Sequence, residues 1–272
     1  MTYEEYAALP GINWSTLKHM GESPMHYRHA ADNPRSGPKT SAMEFGSLTH
    51  VLVFEPDTFD AAYAVWDGGR KGTNAHKAFV AENEGRAIID AEDLVEARAI
   101  AAAVRSHPLT SRYLTPVTLH EHTVQWTDPA SGLPCKARLD WAYPPEGVLL
   151  DLKTARSATK HGFSRQAATL RYGGQMAHYA AACTHGLGWT PKRALFVVVE
   201  SAAPHDIAVF EMDEESFAYC QETVAAYLAR VKACTESGAW PGRYDSIETI
   251  EIPRWMDGGD DDVEVTYDTE TF

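Results

Sequence analysis

Residues 132 to 155 read GLPCKARLDWAYPPEGVLLDLKTA. Two apolar runs flank the turn sequence Pro144-Pro145-Glu146-Gly147, so the stretch is expected to form an antiparallel hairpin. Each run carries an aspartate near its C-terminal end, Asp140 and Asp151, and the second adds Lys153. Successive strand side chains point to opposite faces. Cys135, Ala137, Leu139 and Trp141 are therefore expected on one apolar side, with Lys136, Arg138 and Asp140 on the other. Asp151 and Lys153 share a face opposite Leu150 and Leu152. If the polar faces coincide, two carboxylates and an ammonium converge on an otherwise buried sheet. Like charge and desolvation both oppose ionisation of such a pair, and a divalent cation relieves that cost. Hard cations such as Mg²⁺ take oxygen ligands and keep several waters, which leaves room for a substrate phosphate. The chemistry suited to this pattern is metal-dependent phosphodiester hydrolysis. An ordinary surface ion pair is the alternative that the stretch alone leaves open.

Working outward, VTLHEHTVQWTD (117–128) supplies a third alternating run, which makes the hairpin part of an antiparallel meander. Helices are expected at about 161–185, strands at RALFVVVE (193–200) and HDIAVFEM (205–212), and a long amphipathic helix after Asp213, a suitable N-cap. Upstream, NWSTLKHMG (13–21) and SPMHYRHAA (23–31) read as helices, the second opened by Ser23-Pro24. The segment NPRSGPKTS (33–41) reads as a loop. SAMEFGSLTHVLVFEP (41–56) has apolar residues on more than one side and ends at a proline, which predicts a well-buried helix with Gly46 and His50 on one face. Further helices are expected at 75–84 and 91–107. This order predicts an α/β fold with a mixed central sheet flanked by helices.

The composition, 44% hydrophobic and 23% charged over 272 residues, is that of a soluble globular protein. One domain is expected over residues 1–256, with an acidic, flexible tail over 257–272 that holds seven acids and no base. No run approaches the roughly 18 apolar residues of a membrane helix, and the N-terminus is acidic rather than signal-like, so a cytoplasmic protein is expected. The net charge of −14 argues against a uniformly basic nucleic-acid surface. Local basic clusters at 26–39, 70–77 and 153–165 leave room for a basic groove on an acidic body. The four cysteines form no C-x-x-C pair, against a zinc knuckle or an iron–sulfur site. The run His120-Glu121-His122 is no compact zinc centre either, because strand alternation turns both histidines away from Glu121.

A strand aspartate, ten residues and then D-x-K resembles the PD-(D/E)xK nuclease superfamily. GSLTH (46–50), QMAHY (175–179) and the opening INWSTLKHMGESPMHYRHA (12–30) are similar to flanking motifs of its RecB-like and RecE-like (exonuclease VIII) branch of phage and prophage exonucleases. The first motif departs from the pattern, reading Leu139-Asp140 rather than P-D. The resemblance implies a restriction-endonuclease-like core with an N-terminal helical elaboration. It implies that Asp140 and Asp151 bind the metal, with the Leu152 carbonyl a further ligand. His50 would be a ligand or water-orienting group, Lys153 would activate the nucleophile, and Gln175 and Tyr179 would serve Lys153 or the DNA backbone. Glu121 is the candidate second-metal or outer carboxylate. Arg28, Arg156 and Arg165 are candidates for DNA and 5′-phosphate binding. Packing roles remain the alternative for His50, Gln175 and Tyr179.

The activity so implied is a Mg²⁺-dependent exodeoxyribonuclease, with Mn²⁺ able to substitute. It would degrade linear duplex DNA from 5′ to 3′ and leave 3′ overhangs for recombination. A homo-oligomeric ring and a RecT-like annealing partner are implied too. An endonuclease of the same superfamily and a non-cutting DNA-binding subunit are the alternatives.

Overall fold

The computed structural model describes residues 3–34 and 40–252. Most of the loop expected at 33–41 and the whole acidic tail from Asp257 lie outside the described residues. The chain opens with α1 (Tyr3–Ala8), α2 (Trp14–Leu17) running into a tight turn (Lys18–Gly21), α3 (Pro24–Asp32) and α4 (Ser41–Phe54). Then come α5 (Phe59–Ala62), β1 (Tyr63–Trp66), α6 (Asn74–Glu82), β2 (Ala87–Asp90), α7 (Ala91–Ser106) and α8 (Pro108–Ser111). The meander follows as β3 (Leu119–Thr127), β4 (Pro134–Tyr143) and β5 (Val148–Ala155). The chain continues through α9 (Lys160–Thr169), α10 (Tyr172–Ala181), β6 (Arg193–Glu200), β7 (Ile207–Glu211) and α11 (Glu214–Ser237). Side-chain caps start the helices as the sequence predicts, with Ser23 accepting from the His26 amide and Asp213 from the Ser216 amide.

The main sheet has the order β3-β4-β5-β6-β7; β5 and β6 run parallel and every other pair antiparallel. The parallel step needs a crossover, which α9 and α10 provide. Helices cover both faces, so the fold is α/β with a mixed central sheet, consistent with the restriction-endonuclease-like core. Central strands buried on both faces have near-continuous apolar sequence, as Val148–Leu150 and Ala194–Val199 do. On one face Leu139, Leu149, Phe196 and Val198 pack with α2, α10 and α11. On the other, Trp141, Leu150, Leu152, Val197 and Val199 pack with α4 and α7. Among the described residues, no helix is long and apolar enough to cross a membrane.

Two features depart from the expected pattern. A two-stranded parallel sheet of β1 and β2 forms beside the α4–α7 layer, where the sequence suggested only a helix. Each strand has four residues, too few to show a period. Trp141 also does not share a face with Leu139: Leu139 lies in the α10–α11 layer and Trp141 in the α4–α7 layer. The cause is an interruption of the β3–β4 ladder. His120 pairs with Trp141 and His122 with Leu139, while the intervening Glu121 and Asp140 are unpaired and Glu121 takes a left-handed φ of 44°. Alternation resets there, and Lys136 does not join a polar face with Asp140. It is buried, and its ammonium takes the carbonyls of Tyr6, Ala7 and Leu9 at the end of α1.

Candidate metal centre at the fork of the sheet

β4 and β5 pair at only three positions, Trp141 with Leu150, Ala142 with Leu149 and Tyr143 with Val148. The turn that joins them closes through Gly147 at φ 67°, a conformation glycine adopts without strain. One further step of the register would set Asp140 opposite Asp151, and there the ladder ends. Facing carboxylates repel, and the strands part at this point into a fork. Asp151 and Lys153 face the α10 layer, opposite Leu150 and Leu152, as the alternation predicts.

α4 packs Leu48, Leu52, Val53 and Phe54 into the core and thereby brings His50 to the fork. The His50 ring lies edge-on to Phe54. Its Nδ1 is 2.9 Å from Glu121 Oε1, and its Nε2 is 3.1 Å from the Leu152 carbonyl and 4.0 Å from Asp140 Oδ2. One ligand atom from each of His50, Glu121 and Asp140 can be chosen so that all three lie within 4.8 Å of one another. Burial would push the His50 pKa down. The charge of Asp140 and the hydrogen bond and charge of Glu121 outweigh it and raise the pKa to about 9. Without a metal the imidazole is therefore protonated at neutral pH and supplies the positive charge these carboxylates demand. Glu121 stays ionised: burial opposes this, but His50 and Arg138 hold its pKa below the ordinary value.

Asp151 is wholly buried. Lys153 Nζ lies 2.6 Å from its Oδ2, an ion-pair contact without the angles of a hydrogen bond, so neither carboxylate oxygen has an aligned donor. Burial raises the Asp151 pKa, Lys153 opposes this and Asp140 adds to it. Asp140 and Asp151 stand one step beyond the Trp141–Leu150 pair, at the mouth of the same fork. Asp151 is nevertheless outside the tight group of His50, Glu121 and Asp140.

From α10, Gln175 and Tyr179 complete a chain of contacts. Lys153 Nζ donates to Gln175 Oε1 at 3.2 Å, Gln175 Nε2 donates to the Tyr179 hydroxyl at 2.9 Å, and that hydroxyl donates to Asp140 Oδ1 at 3.3 Å. Only one orientation of the amide lets Gln175 accept from an ammonium and donate to a phenol that itself donates to a carboxylate. The Lys153 ammonium also lies 4.6 Å from the centroid of the Tyr172 ring. Burial lowers the Lys153 pKa, but Asp151 and Asp140 raise it further, and the net shift is upward. The side chain remains an ammonium.

The donor chemistry fits a hard divalent cation. The centre offers carboxylate oxygens, one imidazole and a main-chain carbonyl, and it contains a buried carboxylate with no aligned donor. His120, by contrast, stacks on Phe54 and takes no part.

The three arginines are not brought to this centre. Arg28 pairs with Asp32 at 2.7 Å and lies over Trp240, while Arg156 and Arg165 are exposed beyond the end of β5 and on α9. Conversely, three neighbours of the centre were not among the candidate site residues. Arg138 reaches Glu121 and Glu55, and Tyr172 covers Lys153. Arg138 stands two residues before Asp140 in the same strand, which was a usable signal. Glu55 and Tyr172 had none.

Residues 13–253 match the family described as a PDDEXK-like domain of unknown function (DUF3799). The chain belongs to this PDDEXK-like family. A search of curated proteins returned no match. Among solved structures, the PDDEXK-like domain is similar to a protein of Eubacterium rectale assigned as an exonuclease. The TM-score is 0.62 at 14% identity, covering 93% of this chain and 96% of the other, which shows a shared fold. A phage-related exonuclease of Haemophilus somnus aligns over 85% of this chain and 97% of its own, at 13% identity and a TM-score of 0.37.

Proposed function

We propose that this protein is a Mg²⁺-dependent exodeoxyribonuclease that degrades linear double-stranded DNA from 5′ to 3′ and leaves 3′ single strands for recombination. The observation that carries the reading is the fork. The sheet opens where two carboxylates would meet, with His50 and Glu121 delivered to the same space and an ammonium beside it. The nuclease family supports the class of reaction. The exonuclease type rests on the resemblance to RecE-like enzymes and on the exonuclease name of the Eubacterium rectale relative; the DNA substrate, the 5′-to-3′ direction, the ring assembly and the RecT-like partner rest on that resemblance alone. The same reading puts the reaction in the cytoplasm as a proposal.

His50, Glu121, Asp140 and Asp151, with the Leu152 carbonyl, would hold one or two divalent ions, Mg²⁺ or in its place Mn²⁺. Such an ion supplies polarisation of a phosphoryl oxygen and a water of lowered pKa. Asp140 is oriented by Tyr179, and Glu121 by His50 and Arg138. Lys153 is kept protonated by its carboxylates and steered by Gln175, so it orients water and donates to the phosphate as negative charge builds there. Arg156 and Arg165, exposed beyond the end of β5 and on α9, would meet the DNA backbone away from the metal.

The test is incubation with Mg²⁺ and linear duplexes labelled at either the 5′ or the 3′ end, with a covalently closed plasmid alongside. Early release of the 5′ label, persistence of the 3′-labelled strand and an intact plasmid are the expected result. Plasmid cleavage would replace the reading with an endonuclease, and no cleavage of any substrate would replace it with a binding subunit.

A further inference from the structure

We infer that Arg138 is a positioning residue for the metal centre, holding the main chain and the carboxylate of Glu121 together so that the carboxylate is aimed at His50. The inference rests on the proposed metal site. Arg138 Nε lies 3.0 Å from Glu121 Oε2 and 3.3 Å from the Glu121 carbonyl. The other carboxylate oxygen, Oε1, is thereby left to His50. A second nitrogen of the same guanidinium, Nη2, lies 3.4 Å from Oε2 of Glu55, the residue that caps the end of α4. One planar group thus links β3, β4 and the end of α4, the elements that deliver Glu121, Asp140 and His50.

Glu121 needs such a restraint. Its φ of 44° is a left-handed conformation that non-glycine residues keep only when their surroundings impose it. The residue also interrupts the β3–β4 ladder, so no pairing with Asp140 fixes its direction. Arginine suits the task because its rigid fork engages several acceptors at fixed angles, whereas a lysine ammonium acts as a point charge on a flexible stem. The Arg138 side chain is largely buried and committed to these partners, which sets it apart from a group that meets DNA.

The test uses the full chain without DNA and Mn²⁺ alone as the probe, with free Mn²⁺ followed by electron paramagnetic resonance well below each variant's thermal midpoint. Arg138→Lys keeps the charge and loses the fork, and it should weaken Mn²⁺ binding by about tenfold or more, the range seen when groups that orient ligands are removed. Placed on Glu121→Ala, the same substitution should cause little further loss. Wild-type Mn²⁺ affinity in Arg138→Lys, or an equal loss in both backgrounds, would overturn the inference. If Arg138→Lys does not fold, Glu55→Gln weakens the contact that holds Nη2 of the guanidinium. A measurable but smaller loss of affinity supports the inference, and an unchanged affinity sinks it. Failure of the underlying site looks different: the wild type would bind no Mn²⁺, or Asp140→Asn would bind it as well as the wild type.

Discussion

The Lys153 ammonium lies 2.6 Å from the carboxylate of Asp151, which has no solvent exposure at all. Removing the ammonium strands a buried negative charge, and breaking such a pair costs roughly 3 kcal/mol or more. The Asp151 pKa, already raised by burial and by Asp140, then rises further because Lys153 no longer opposes it. A carboxyl whose folded pKa is raised carries no penalty below its unfolded value of about 4, and the penalty grows as pH climbs through the folded value. Lys153→Ala should therefore be clearly less stable than the wild type at pH 7–8, with the difference shrinking toward pH 4 in urea unfolding. Mg²⁺-dependent degradation of linear duplex should be lost in Lys153→Ala and in Asp151→Ala, and retained wild-type activity in either would refute the site assignment.

His50 gives the opposite sign. Its folded pKa of about 9 lies above the ordinary histidine value. Its protonation thus contributes stability in full below about pH 6.5 and loses it as pH rises through about 9, with an upper size on the order of 3 kcal/mol. Metal-free wild type should lose stability between pH 7 and 9.5 more steeply than His50→Gln in thermal unfolding. The same proton must leave before the imidazole can bind an ion, so apparent Mn²⁺ affinity should rise with pH over this window in the wild type and rise less in His50→Gln.

Tyr179 and Gln175 act in series between Lys153 and Asp140. Tyr179→Phe removes the donor to Asp140 and should lower Mn²⁺ affinity by about tenfold, with circular dichroism unchanged. Gln175→Ala should lower the cleavage rate, and the double variant should lose less than the two single losses combined, since both cut one chain of contacts. Fully additive losses in single-turnover assays would show that the two side chains act separately.

Two glycines near the centre should respond in opposite directions to the same substitution. A Cβ on Gly174, beside Gln175 in α10, would run into the indole of Trp14. Gly174→Ala should lower stability by about 1–3 kcal/mol and disturb the Lys153–Gln175 contact. A Cβ on Gly46, in the helix of His50, would meet only Thr154 Oγ1 at 3.9 Å, an ordinary contact. Gly46→Ala should raise the thermal midpoint, since alanine in a helix interior is better than glycine by about 0.5–1 kcal/mol. A stabilised Gly174→Ala would show that the α2–α10 contact is looser than described.

Short-range periodicity was enough to determine much of this protein from its sequence. The meander, the shared face of Asp151 and Lys153, the i,i+4 placement of Gln175 and Tyr179, and the caps Ser23 and Asp213 follow from repeats of two and of 3.6 residues or from local hydrogen bonds, none of which needs the rest of the chain. Tertiary structure alone decided where the sheet opens and what gathers there. His50 meets Glu121 across 71 positions and Leu152 across 102, and Arg138 reaches Glu55 across 83. It also decided that Trp141 leaves the face of Leu139, that Lys136 is spent on the carbonyls at the end of α1, and that Arg28 lies over Trp240. The reason is physical: alternation tells which side a residue takes relative to its immediate neighbours. An interrupted ladder resets that alternation, and the energy that sustains the interruption comes from ion pairs between elements distant in sequence.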